Sequence, residues 1–217
     1  MKTMRTYIFA SLIALFAASG CATFQAGSDV EAGRRAFLIG DNETALGYFQ
    51  RAAQVDPDYV YYGSGLRENI WSYVGRSEYA AGRLAQARQA LEKALSPNRD
   101  EYALSLNGDQ DMARLYLGLT LARSGDRQRG LKEIAGGMIG IHDQIEYATQ
   151  AFRFSYGRFW DPTREIRSSI EGDLAMLSGK DVNVQRLIAD GEWLGKRLEE
   201  EINLARRDER RNLRRQD

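Results

Sequence analysis

The sequence predicts an all-α fold, an array of paired helices completed by one long C-terminal helix. Three observations lead there. Proline is scarce, three in 217 residues, while Ala, Leu, Arg and Glu are abundant, a balance that favours helices over sheets. Three pairs of glycines recur in phase along the chain. The last third carries apolar residues at helical spacing in two long stretches.

Hydrophobic residues make up 43% of the chain and charged residues 28%, a globular composition whose length suits one domain or one repeat array. Lys+Arg and Asp+Glu number 30 each. A leader of about 20 residues holds Lys2 and Arg5 and no acid, so 28 basic groups would face 30 acidic ones after its removal. That balance gives no sign of a general nucleic-acid footprint, and no nucleic-acid partner is expected.

The first element is an address. Met1 to Arg5 is basic, Tyr7 to Ala17 (YIFASLIALFA) is apolar, and Ala18-Ser19-Gly20 lead to Cys21. This is the order of a secretory signal over 1–20, and its apolar run is too short to span a membrane. Cys21 is the one cysteine. The segment resembles the lipobox of bacterial lipoproteins, in which the cysteine is acylated with chains such as palmitate and becomes the new N-terminus. That family usually has Leu where this chain has Ala18. The rival reading is ordinary signal cleavage at the same bond, since Ala-Ser-Gly also fits a small-x-small site. An acylated Cys21 would anchor the protein to a membrane, each buried CH₂ contributing ~0.8 kcal/mol. Ala22, where an Asp usually means inner-membrane retention, implies an outer-membrane lipoprotein of the bacterial cell envelope facing the periplasm. An acylated Cys21 would also leave no thiol for a disulfide, a nucleophile or a metal.

The middle elements are hairpins. Gly33 and Gly40, Gly75 and Gly82, and Gly118 and Gly125 each lie seven residues apart, and the pairs repeat at 42 and 43 residues. Five residues after each second glycine comes a small residue (Ala45, Ala87, Gly130). Four further on comes a large apolar one (Phe49, Leu91, Ile134), and three more bring another small one (Ala52, Ala94, Gly137). Small residues belong where two helices cross closely, and a large apolar one fills the gap beside them. The pattern resembles the tetratricopeptide repeat, two antiparallel helices in 34 residues, with units at 26–59, 68–101 and 111–144. The third unit departs from the family, with Arg114 in its tryptophan place and glycine in two alanine places. The resemblance implies a right-handed solenoid of helical hairpins over 21–144, with longer connections between units than the family usually has.

Residues 145–217 supply further helices. The stretch 145–160 carries Tyr147, Phe152, Phe154, Tyr156, Phe159 and Trp160 and reads as a helix continuing the array. Asp161-Pro162 reads as cap and first turn of the next, with Ile166, Ile170, Leu174 and Leu177 on one face. Gly179 ends it and Asp181 is the candidate cap of the last. From about Val182, the residues Val184, Leu187, Ile188, Leu194, Leu198 and Ile202 form one stripe, predicting a capping helix at the open end of the array. Glu199-Glu200-Glu201 reads as a solvated face. From Arg206 the sequence is RRDERRNLRRQD, read as a solvated helix end with internal ion pairs or, alternatively, as a docking tail for an acidic partner or a phospholipid surface.

Catalytic chemistry is poorly provided for. His142 is the one histidine, so neither a two-His metal site nor a Ser-His-Asp set can be built freely. It is expected near a helix end. Gly63-Ser64-Gly65 lacks the rest of a dinucleotide fingerprint, and Gly179-Lys180-Asp181 lacks the strand and hydroxyl of a phosphate loop. Asp161 and Glu165 remain a conceivable carboxylate pair. No enzyme, cofactor or metal is expected.

In the repeat family the first helix of each pair lines the concave surface. By position the groove would present Arg34 and Phe37 from the first unit. The second would give Asn69, Tyr73, Arg76 and Tyr79, and the third Met112, Tyr116, Leu119 and Arg123. Arginine with tyrosine is a frequent composition of interface hot spots. The alternative for Phe37, Tyr73 and Leu119 is packing between repeats. The resemblance implies an interaction scaffold or adaptor that holds a peptide or helix of another envelope protein. The alternative is an accessory lipoprotein of an extracytoplasmic solute-uptake system, binding a small ligand or a solute-binding protein.

Overall fold

The structure is a computed structural model that describes residues 22–63, 66–96, 110–151 and 161–213. The leader with Cys21, the end of the second repeat unit, the aromatic residues from Phe152 to Trp160 and the last four residues lie outside them. The described residues are mostly helical. In order they form α1 (22–38), α2 (Asn42–Val55), β1 (Val60–Gly63), β2 (Leu66–Asn69), α3 (Ile70–Ala80), α4 (Leu84–Ala94), α5 (Asp111–Arg123), α6 (Arg127–Ala151), α7 (Glu165–Leu177) and α8 (Val184–Leu213).

Helices α1–α2, α3–α4 and α5–α6 are three hairpins, and each turns at the second glycine of a pair. Gly40, Gly82 and Gly125 have φ of 81°, 76° and 96°, the left-handed region that ends a helix at little cost to glycine. The first glycine of each pair sits where the two helices touch. A Cβ on Gly33 would stand 2.6 Å from the Phe49 ring, and one on Gly75 would overlap Leu91. In the third hairpin the approach is backbone to backbone. A Cβ on Gly118 would lie 2.5 Å from the Ile134 amide, and one on Gly137 2.5 Å from the Leu115 amide. A Cβ on Gly130 would likewise lie 2.8 Å from the Ala122 amide, so the glycines at the two alanine places, 130 and 137, let α6 lie closer to α5 than alanine would allow.

Between the first two hairpins the extra residues form a structure that the sequence reading omitted. β1 and β2 pair antiparallel, Val60 with Asn69, Tyr61 with Glu68, Tyr62 with Arg67 and Gly63 with Leu66. The Ile70 amide then donates to the Tyr59 carbonyl at 2.9 Å, tying the ribbon to the start of α3. Tyr61 packs edge-on against Tyr73, which in turn stacks on Phe49 with centroids 4.8 Å apart.

Three expectations beyond the hairpins are corrected. Helix α7 starts at Glu165, so Asp161 is not its terminal cap residue. Asp161 is buried in a left-handed turn, φ 43°, and its carboxylate reaches forward to accept from the Ile166 and Arg167 amides, each at 3.0 Å. Helix α8 is capped by Asn183 and not Asp181, the Asn183 Oδ1 accepting from the Arg186 amide at 3.0 Å. Finally, α8 is not confined to the open end of the array. It is the expected long amphipathic helix, and besides packing on α5 and α7 it reaches over α3 and α1.

Candidate functional site

Helices α1, α3 and α5 are the first members of the three hairpins, and together they form a trough that α8 crosses in the opposite sense, from α5 through α3 to α1, while also packing on α7 and β1. Along α8, Glu192 accepts from Tyr79 of α3 at 2.5 Å and pairs with Arg123 of α5 at 2.6 Å. The Gly195 carbonyl accepts from Arg76 Nη2 at 3.3 Å. Glu199 pairs with Arg76 at 3.4 Å and with Arg34 of α1 at 2.5 Å, and Arg206 then bonds to Glu31 of α1. Two glycines bring the α8 backbone down onto α5. A Cβ at Gly191 would stand 2.8 Å from Leu119, and one at Gly195 would overlap the Tyr116 ring.

At the centre two guanidinium groups are buried against two carboxylates. Arg76 is fully buried, and its Nη1 donates to both oxygens of Glu68, at 2.7 and 2.8 Å. Rings of Phe37, Tyr116 and Tyr73 lie 5.0, 5.2 and 5.5 Å from its guanidinium carbon. Arg34 donates to Glu199 and to the Tyr61 hydroxyl and lies 4.3 Å over the Tyr61 ring. Burying an unpaired ion costs several kcal/mol, so this arrangement depends on the charges being matched. Burial works against the Arg76 cation, yet Glu68, Tyr116 and Glu199 hold its pKa above the ordinary value. The Tyr79 hydroxyl is held protonated by burial and by its bond to Glu192. Glu68 comes from β2, so the ribbon supplies a charge that the hairpins lack.

Most of the residues read from sequence as a groove do converge here, but α8 covers them. Arg34, Tyr73, Arg76, Tyr79, Met112, Tyr116 and Leu119 are buried, and Phe37 is half-buried. Arg123 stands exposed at the rim, stacked 4.7 Å over Tyr79. Two belong to the framework. Asn69 caps α3, accepting from the Ser72 amide at 3.0 Å and donating to the Ala94 carbonyl at 3.3 Å. Tyr73 is packed between Phe49 and Tyr61, the alternative the sequence left open.

The residues that complete the site escaped the sequence reading. Glu199 and Glu201, assigned to a solvated face, are buried at 1% and 0% exposure, whereas Glu200 is half-buried. Glycines at 191 and 195 with glutamates at 192 and 199 are the signal that could have revealed them, because both pairs fall on one side of a helix. Within the basic end, Arg206 reaches Glu31 of α1, and Arg211 lies 4.0 Å from Asp208.

The other candidates disperse. His142 is inside α6 and not near its end, with Nε2 3.4 Å from Glu171. Asp161 is bound to Arg167 at 3.1 Å and Glu165 to Arg197 at 3.5 Å, so each carboxylate is held by an arginine. Beneath α8 a cavity of about 10 Å³ is lined by Tyr61, Glu68, Tyr73, Met112 and Leu198 among others, room for one water and not for a solute. Among the described residues no group of His, Cys, Asp or Glu is placed to hold a metal ion, and no helix is long and apolar enough to cross a membrane. No family model, no curated protein and no solved structure matches the chain.

Proposed function

We propose that this chain is a tetratricopeptide-type repeat protein, exported and held to the bacterial envelope by acyl chains on Cys21, that binds helical segments of other envelope proteins as a scaffold without a reaction of its own. The observation that carries it is the joint grip of three hairpins on one helix. Arg34, Tyr79, Arg76 and Arg123, spread over α1, α3 and α5, hold Glu192 and Glu199 of α8. A surface that lays arginine and tyrosine along a helix bearing carboxylates is built for helix-in-groove recognition. The solute-uptake alternative draws no support from the cavity beneath α8.

The test is an affinity capture of the tagged, membrane-extracted chain, with intact-mass measurement of the bait. The expected result is a diacyl or triacyl mass on Cys21, lost in Cys21→Ser together with membrane fractionation, and a stoichiometric protein partner. A bait without acyl mass would overturn the anchor. Recovery of no partner, from wild type and from a variant with α8 loosened by Glu199→Gln, would overturn the scaffold.

A further inference from the structure

We infer that the trough is a self-occupied binding site: α8 stands in it as an internal ligand, and the outside partner is an acidic amphipathic helix of the same pattern, which binds by expelling α8. This rests on the scaffold reading and names its ligand. The pattern is set by what the trough contacts. Small residues are needed at two positions four apart, because Leu119 and Tyr116 leave no room for a Cβ at Gly191 or Gly195. Carboxylates are needed one residue and eight residues after the first of these, where Glu192 meets Tyr79 and Arg123 and Glu199 meets Arg34 and Arg76. A helix with lysine at the second of those places would bring a third cation onto two buried ones, which the trough refuses.

Helix α8 is an imperfect occupant. With it in place, Arg34 Nη2 and Arg76 Nε are buried and find no hydrogen-bond partner among the described residues. Each unmade bond weakens the closed state, and a partner that brings one more acceptor gains where α8 loses. What favours α8 is its tether. Only residues 178–183 join it to α7, so it competes at an effective concentration on the order of millimolar. A partner therefore succeeds by fitting the trough better, or by meeting a chain whose α8 has already lifted.

The test uses the full chain and an isotope-labelled synthetic peptide with the sequence of residues 184–205. In Glu192→Lys/Glu199→Lys, α8 should leave the trough, and the peptide with its native glutamates should bind at least tenfold more tightly than one carrying glutamine at both positions. In wild type, excess native peptide should raise deuterium uptake in the chain's own α8 and leave α5–α6 unchanged. Equal binding of the two peptides by a folded charge-reversed variant would overturn the inference, as would unchanged α8 exchange in wild type. If the charge-reversed variant does not fold, the wild-type exchange measurement decides alone. A captured partner indifferent to excess peptide would sink this ligand class and leave the scaffold standing. Peptide binding with no cellular partner would do the reverse.

Discussion

Replacing Glu199 with glutamine keeps the shape of the side chain and removes the charge that α8 brings to two buried arginines. Breaking a buried ion pair by removing one partner costs about 3–5 kcal/mol. Here the loss is smaller, because each arginine keeps other partners. Arg76 retains both Glu68 oxygens, and Arg34 retains the Tyr61 hydroxyl and Glu31 at 3.8 Å. A cost of about 2–3 kcal/mol is expected, roughly a 30- to 150-fold shift toward the state with α8 lifted. The cost falls on the α8 contacts, so α8 should loosen before the hairpins do. Hydrogen exchange resolved by peptide, with urea unfolding alongside, measures both. Amides of residues 192–206 should exchange faster by that factor, while those of α5 and α6 change little. If exchange in α8 and the urea midpoint both stay at wild-type values, the apolar stripe alone holds the helix and the electrostatic account fails.

Asp173 of α7 is buried, and burial together with the charge and hydrogen bond of Asp190 on α8 pushes its carboxyl up to about 7, Arg186 opposing. The folded chain therefore holds this proton more tightly than the unfolded chain, whose ordinary value is near 4. That contribution is complete below pH 4 and is lost as the pH rises to about 7, so Asp173→Asn should be neutral near pH 4 and more stable than wild type by about 1–3 kcal/mol at pH 8, read from urea midpoints across pH. Gly75→Ala should cost about 1–3 kcal/mol, because its Cβ meets Leu91, whereas Gly47→Ala in α2, with open space around it, should gain about 0.5–1 kcal/mol in thermal unfolding. Asp161→Ala should cost about 2–3 kcal/mol by removing the acceptor for two amides and the Arg167 side chain, and Asp161→Asn, which keeps one acceptor, about half of that by the same measurement.

The hairpins could be read from the sequence because each is specified locally. A glycine that needs positive φ, and a glycine that must let a neighbour's side chain through, leave their mark within sixteen residues of the partner. The position of α8 could not be read in that way. Its stripe from Val184 to Ile202 says that one face is buried, but apart from the neighbouring α7 the surface that buries it belongs to α1, α3, α5 and β1, more than 60 residues upstream. The repeat resemblance places Arg34 and Arg76 in the groove by position, but their counter-charge is not legible because Glu199 looks like any glutamate in a run of three. Asp161 shows a smaller version of the same limit. Its role as an acceptor for helix amides was legible, but its left-handed turn and the three-residue delay before α7 depend on Arg167 folding back over it.

Because α8 lies antiparallel to α1, the Leu213 end of one lies toward the residue-22 end of the other. A pull that separates these two ends loads the contacts of α8 one after another: Arg206 with Glu31 first, then Glu199 with the two buried arginines, then Glu192 with Tyr79 and Arg123. Bonds opened in succession yield at lower force than the same bonds strained together. Tension applied at those two ends would thus unzip the helix gently, whereas a push along its axis would meet every contact in shear.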